Sequence, residues 1–217
     1  AYYTNNPPAG AFRGFGVTQS CATVEPLINQ LAEMAGISGW EIRYRNAIRP
    51  GQSLPNGQVA DQKTAFAETL EAVKPYFDQY EADPDYYVGI ASAMKNTGVG
   101  VGVPDPGRCN LAIIDGKVHA RSSAGAIGQG VQTVMMQIIC ETTSLLPDRI
   151  VIEHPDTKFT PDSSTTTASR QTVFCGEATR RAALQLKQDL DSANKLEELE
   201  GKLYQGEFDY KTDPIGC

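Results

Sequence analysis

The sequence predicts an α+β fold, of mixed helices and sheet. Helical periodicity dominates the beginning of the chain, strand patterns and helices mix beyond an acidic segment, and no regular βαβ alternation runs through it. No repeat at solenoid period is visible. The break at EADPDY divides a helical part, residues 1–84, from an α+β part, residues 85–217.

Near the start lies AGAFRGFGVTQ, residues 9–19, with three glycines, two aromatics and Arg13 directly before a helical pattern. Backbone amides and a guanidinium can converge there on an anion. The first helix is predicted over 17–35, with Val24, Leu27, Ile28, Leu31 and Met34 at helical spacing, a kink or late start at Pro26, and a stop at Gly36. Ser38 and Glu41 form a capping-box pattern for a short second helix to about Ala47. Arg43, Arg45 and Arg49 near its end read as solvated cations that suit the helix dipole.

Residues 49–62, rich in Pro, Gly and polar side chains, read as a surface connection. A third helix is predicted over 64–79, with Phe66, Leu70, Val73 and Phe77 on one face. Residues 86–94 are strand-like, and 98–107 form a glycine and proline loop. An apolar run, 110–114, and a second run, 117–123, flank Asp115-Gly116, a hairpin signal. The loop AGAIGQG, 124–130, opens an amphipathic helix at Val131, and a strand follows at 149–153. A polar loop, DSSTTTASRQ at 162–171, opens another helix that runs to the Leu186 region. Residues 190–203 read as charged and helical but weakly amphipathic, and the tail GEFDYKTDPIGC has little to fold on. A binding loop so near one end and a tail of this kind at the other make the chain read as cut from something larger.

With 19 Lys and Arg against 26 Asp and Glu, the net charge of −7 disfavours nonspecific nucleic-acid or anionic-membrane binding. The absence of a long apolar run or leader pattern predicts a soluble, cytoplasmic protein. Five widely spaced cysteines with no CxxC pair read as reduced thiols, mostly buried. With only His119 and His154, a His-based metal site or a Ser-His-Asp triad is poorly supplied.

Three small-residue loops thus deliver uncommitted amides to helix starts, where each suits phosphate, oxo or carboxylate groups. Each adds side chains: Arg13, Gln129, and the hydroxyls from Ser163 to Ser169 with Arg170 beside them. Turn chemistry and helix capping alone would also place glycines and hydroxyls there. Three such loops in an acidic chain point to one shared polyanionic cofactor. None fits a P-loop or a dinucleotide fingerprint.

AFRGFG followed by Gln19, GQG at 128–130 before a helix with Gln137, and TTTASRQ followed by Gly176 resemble, in order and spacing, the molybdenum-binding subunit of the xanthine dehydrogenase and aldehyde oxidase family. The segment EIRYRNAIRPGQSLPNGQ resembles bacterial members, and the tail through KTDPIG looks most like the selenium-dependent xanthine dehydrogenase branch. The resemblance implies a molybdenum–molybdopterin cofactor, in its cytosine dinucleotide form, and hydroxylation of a purine, N-heterocycle or aldehyde with water as the oxygen source. It implies as partners the remaining part of the large subunit and iron–sulfur and FAD subunits or domains.

By the same resemblance, Phe12 and Arg13 would face the molybdenum ligands, with no direct protein ligand to the metal, and Phe15 would pack on the substrate. Gly128, Gln129 and Gly130 would hold the pterin or its phosphate, with Ala168, Ser169, Arg170 and Gln171 on the opposite side. Val17-Thr18 stands where many members have Gly-Pro, as in aldehyde oxidoreductase-like relatives, which leaves the substrate class open. The family's general-base Glu has no match in the chain, and Glu177 is explained by helical position. The chain therefore reads as an enzyme fragment, inactive alone and able to lack its cofactor. A short, non-catalytic pterin- or nucleotide-binding module is the alternative.

Overall fold

The computed structural model describes residues 3, 5–6, 14, 16–55, 57, 59–95, 97–99, 103–193 and 195–209. These divide into two compact units, one ending at residue 95 and one running from 97 to 209.

The first unit holds α1 (Val17–Ala35), α2 (Gly39–Asn46) and α3 (Phe66–Glu81). Glycines in the left-handed region bound α1 on both sides, Gly16 at φ 89° and Gly36 at φ 66°, and the Gly36 amide donates to the Ala32 and Glu33 carbonyls. Pro26 sits inside α1 without ending it. The small core gathers Trp40, Ala47, Ala67, Leu70 and Phe77. Trp40 stacks on Tyr44 at 4.5 Å and donates from Nε1 to the Leu70 carbonyl at 2.7 Å, so its polar edge is satisfied where its ring is buried. Ser38 caps α2 as expected, its Oγ accepting from the Glu41 amide at 3.0 Å.

Two expectations fail in this unit. Arg43 is not solvated: it is buried, pairs with Glu25 at 2.7 Å and donates to the Gly39 carbonyl. A charge can be buried there because a carboxylate from the neighbouring helix neutralises it. Residues 86–94 form no strand, because among the described residues none pairs with them in a ladder. That segment lies extended instead, with Ile90 against the Trp40 cluster and the Ser92 amide donating to Glu25.

In the second unit, β1 (Pro106–Ile114) and β2 (Lys117–Arg121) form the expected antiparallel hairpin. Asp115 (φ 49°) and Gly116 (φ 66°) supply the left-handed pair that its tight turn needs. Helix α4 (Val131–Thr143) connects β2 to β3 (Ile150–Ile152), which pairs parallel to β2. Helix α5 (Gln171–Leu190) follows, then β4 (Leu203–Asp209), which pairs antiparallel to β1, giving the order β3-β2-β1-β4. Cys109, Leu111, Ile113, Val118 and Ala120 of the sheet pack on Met135 and Ile139 of α4 and on Cys175, Ala178, Ala182 and Leu186 of α5.

Residues 190–209 correct the sequence reading. The helix ends at Leu190, a short 3-10 turn over Leu196–Leu199 drops two leucines into the core, and the supposed loose tail supplies an edge strand. Gly206 hid that strand, yet it is what permits the strand: a Cβ there would overlap the Ala178 carbonyl of α5. Gly107 on β1 faces Phe174 of the same helix in the same way. Gly206→Ala is therefore expected to cost about 3 kcal/mol through overpacking, read as a lowered urea midpoint at unchanged slope. An unchanged midpoint would mean that α5 does not approach β4 this closely.

Candidate functional site

Phe12, Arg13 and Phe15 lie outside the described residues. The start of α1 is described: Gly16 precedes it, and no side chain caps it.

The other two loops meet within the second unit, and the connection is a chain of hydrogen bonds. The Gly125 carbonyl accepts from Gln129 Nε2 at 3.0 Å and from Thr166 Oγ1 at 2.9 Å. Thr166 Oγ1 in turn accepts from Gln171 Nε2 at 3.2 Å, and the same Nε2 donates to the Thr165 carbonyl at 3.1 Å. Gln129 Oε1 accepts from the Ile127 amide at 2.6 Å, closing its own loop. The first residue of α5 is thereby tied to the loop that opens α4.

Both helix starts are without a side-chain cap. Gly130, at φ 77°, precedes α4, and Gly128 stands at φ 93° before it. Before α5 the left-handed residues are Ala168 (φ 49°) and Ser169 (φ 56°), followed by Arg170 in the right-handed region. A left–right succession of this kind turns successive amides to one side and makes an anion-binding concavity. Two non-glycine residues in succession in that region cost free energy, so the surrounding bonds must hold them there.

Gln171 carries the clearest sign of a binding site. Its residue is 5% exposed, and its Oε1 is buried with no hydrogen-bond partner. A buried acceptor left alone costs about 1–3 kcal/mol, which a ligand N–H would recover. The site thus offers amides that donate and one amide oxygen that accepts, suited to a ligand with both anionic and N–H-bearing parts. That donor set fits a pterin carrying a phosphate.

Arg170 is placed differently from its expected role. It is fully buried, pairs with Asp105, donates to the Ser163, Thr165 and Pro106 carbonyls, and lies over the Phe174 ring. With its side chain bonded into the protein and its amide donating to the Thr167 carbonyl, it braces the loop and does not face a ligand. Asp105 escaped the sequence reading, because nothing in a proline and glycine loop links it to an arginine 65 residues later.

A further titratable cluster, beside β2 and β3, is structural. His119 Nδ1 lies 2.8 Å from Glu153, which also accepts from Arg121, and Arg121 above all holds the Glu153 carboxyl below its ordinary range. Burial pushes the Cys109 thiol up to about 12, so it is no nucleophile near neutrality. Cys21, Cys109, Cys140 and Cys175 are free, two of them buried. Among the described residues no group of His, Cys, Asp and Glu could hold a metal directly, and no helix is long and apolar enough to cross a membrane.

Residues 21–213 match the family model of the molybdopterin cofactor-binding domain. The chain is 34% identical over 199 residues to the xanthine dehydrogenase molybdenum-binding subunit of Escherichia coli, covering 87% of this chain and 26% of that protein. It is 29% identical over 189 residues to the aldehyde oxidoreductase of Megalodesulfovibrio gigas, covering 82% and 21%. The solved aldehyde oxidoreductase from Desulfovibrio gigas superposes with a TM-score of 0.74 at 25% identity, over 92% of this chain and 24% of that one. The chain thus spans about a quarter of the length of these relatives.

Glu177, next to Gly176, is engaged by its own helix. Arg180 foremost, with Arg181, lowers its carboxyl to about 2. Because the folded value lies below the ordinary 4.5, the stabilisation is fully present above 4.5 and is lost as pH falls toward 2. Glu177→Gln should therefore lower stability near neutrality by less than about 1 kcal/mol, the scale of part-exposed pairs. The deficit should shrink as urea titrations move from neutrality toward pH 2. A deficit independent of pH would contradict this assignment.

Proposed function

Because the chain belongs to the molybdopterin cofactor-binding domain family that includes xanthine dehydrogenase molybdenum-binding subunits and aldehyde oxidoreductases, we propose that its second unit holds a molybdenum–molybdopterin cofactor for a hydroxylase. The observation that carries this reading is the unpartnered Oε1 of Gln171 beside two uncapped helix starts that Thr166 and Gly125 join.

The amides that open α4 and α5 bind the anionic groups of the cofactor, and Gln171 Oε1 accepts from an N–H of its heterocycle. Gly128, Gln129 and Gly130 shape one side, with the Gln129 side chain bracing its loop. Ala168 and Ser169 shape the other through their backbone, and Arg170 braces their loop. When bound, the cofactor supplies the redox chemistry, taking an electron pair from the substrate while water provides the oxygen. The cytosine dinucleotide form, a purine, N-heterocycle or aldehyde substrate, and the roles of Phe12 and Arg13 beside the molybdenum ligands and of Phe15 on the substrate follow from the matching motifs. Iron–sulfur and FAD partners complete the electron path, and the free thiols suit the cytoplasm.

The test uses the full-length polypeptide that contains these residues, expressed with molybdate. Molybdenum, pterin and cytidine nucleotide released by acid are expected in equal amounts, with turnover of xanthine or an aldehyde. Gln171→Ala is expected to lower pterin content severalfold, on the scale of about 1–3 kcal/mol for the lost acceptor. Arg13→Ala should reduce turnover more than cofactor content. Cofactor without any turnover would favour the non-catalytic binding module, and protein devoid of pterin would refute the reading.

A further inference from the structure

We infer that Asp105 and Arg170 are positioning residues, a buried clamp that turns the carbonyls of the 161–170 loop inward so that its amides face a ligand. The inference rests on the reading of that loop as part of the cofactor site.

A fully buried arginine paired with an aspartate is seldom the cheapest way to fill a core, since apolar residues of similar volume often stabilise as well or better. What a guanidinium does that they cannot is gather several acceptors in one plane. Here Nη1 takes the Ser163 and Thr165 carbonyls, Nη2 the Pro106 carbonyl, and Nε the Asp105 carboxylate. Asp105 is itself fixed, its Oδ2 accepting from the Val99 amide at 2.9 Å and its own amide donating to Asp209 at 3.2 Å.

Four further carbonyls of the loop are engaged by the protein. The Pro161 carbonyl accepts from the Ser123 amide, that of Asp162 from Arg108, that of Thr167 from the Arg170 amide, and that of Ala168 from the Gly98 amide at 3.0 Å. In a planar trans peptide the carbonyl of one residue and the amide of the next point in opposite directions. Carbonyls drawn inward at 165, 167 and 168 therefore turn the amides of Thr166, Ala168 and Ser169 the other way. Among the described residues, no acceptor takes the amides of 165–169 or of 171–173. The amides of Ser163, Ser164 and Arg170 are used within the protein, whereas those of 165–169 and 171–173 remain as donors.

Asp105→Asn and Arg170→Lys in the full-length protein test the clamp, because lysine keeps the charge but cannot span three carbonyls. Both variants are expected to lose about tenfold or more in pterin content, the scale of lost support behind a site. Amide hydrogen exchange should rise over 163–173 and stay unchanged over 109–113 and 178–186. Asp105→Glu, which preserves pairing, should retain more cofactor than Asp105→Asn and serves as the folded comparison should Asp105→Asn exchange throughout. Wild-type pterin content in Arg170→Lys would overturn the clamp. So would faster loop exchange with pterin fully retained. Absence of pterin from the unsubstituted protein would instead remove the reading beneath it.

Discussion

The close approach of α5 to the sheet is the constraint on which the second unit depends. Two strands must present a bare backbone where the helix crosses, Gly107 to Phe174 and Gly206 to Ala178. That contact fixes the height of the helix above β1 and β4, and the alanines and Leu186 fill the layer beneath it. Since the helix cannot rise or slide without opening this layer, its first turn is placed as firmly as its middle. The start of α5 is where the loop from 161 to 170 arrives, so rigid packing in the core delivers a fixed set of amides at the rim.

The loops then divide the work by chemistry. Glycines let the chain turn before α4, whereas before α5 the turn is made by Ala168 and Ser169 and secured by the buried arginine. Thr166 hydrogen-bonds across to Gly125, so one hydroxyl of the long polar run registers the two loops against each other. The abundance of hydroxyls there has a mixed explanation. Ser163 also accepts from the Arg108 amide, which ties the loop to β1, and Ser123 accepts from the Ser163 amide.

Much of this was legible from sequence because the signals are local. The Ser38 and Glu41 cap, the Asp115-Gly116 turn, and the helices beginning at Val17 and Val131 each announce themselves within a few residues. What escaped depends on partners distant in the chain. A strand containing Gly206 looks broken until α5 is seen to require the glycine, and residues 86–94 look like a strand although none of the described residues pairs with them. Arg43 reads as a solvated cation and Arg170 as a ligand contact because their carboxylates, Glu25 and Asp105, are far away in sequence. Gln129 and Gln171 stand in separate loops of the sequence, and only the fold brings out the hydrogen-bonded path between them.

The uncapped starts of α4 and α5 also bear on how such a surface can change over time. Donors that belong to the main chain are chemically identical whichever side chains decorate them. A lineage can therefore exchange most of its residues there and keep the same pattern of N–H groups, provided the turn conformations survive. The heritable element is a shape of the backbone, and the letters that encode it are those at the left-handed positions and under the buried guanidinium.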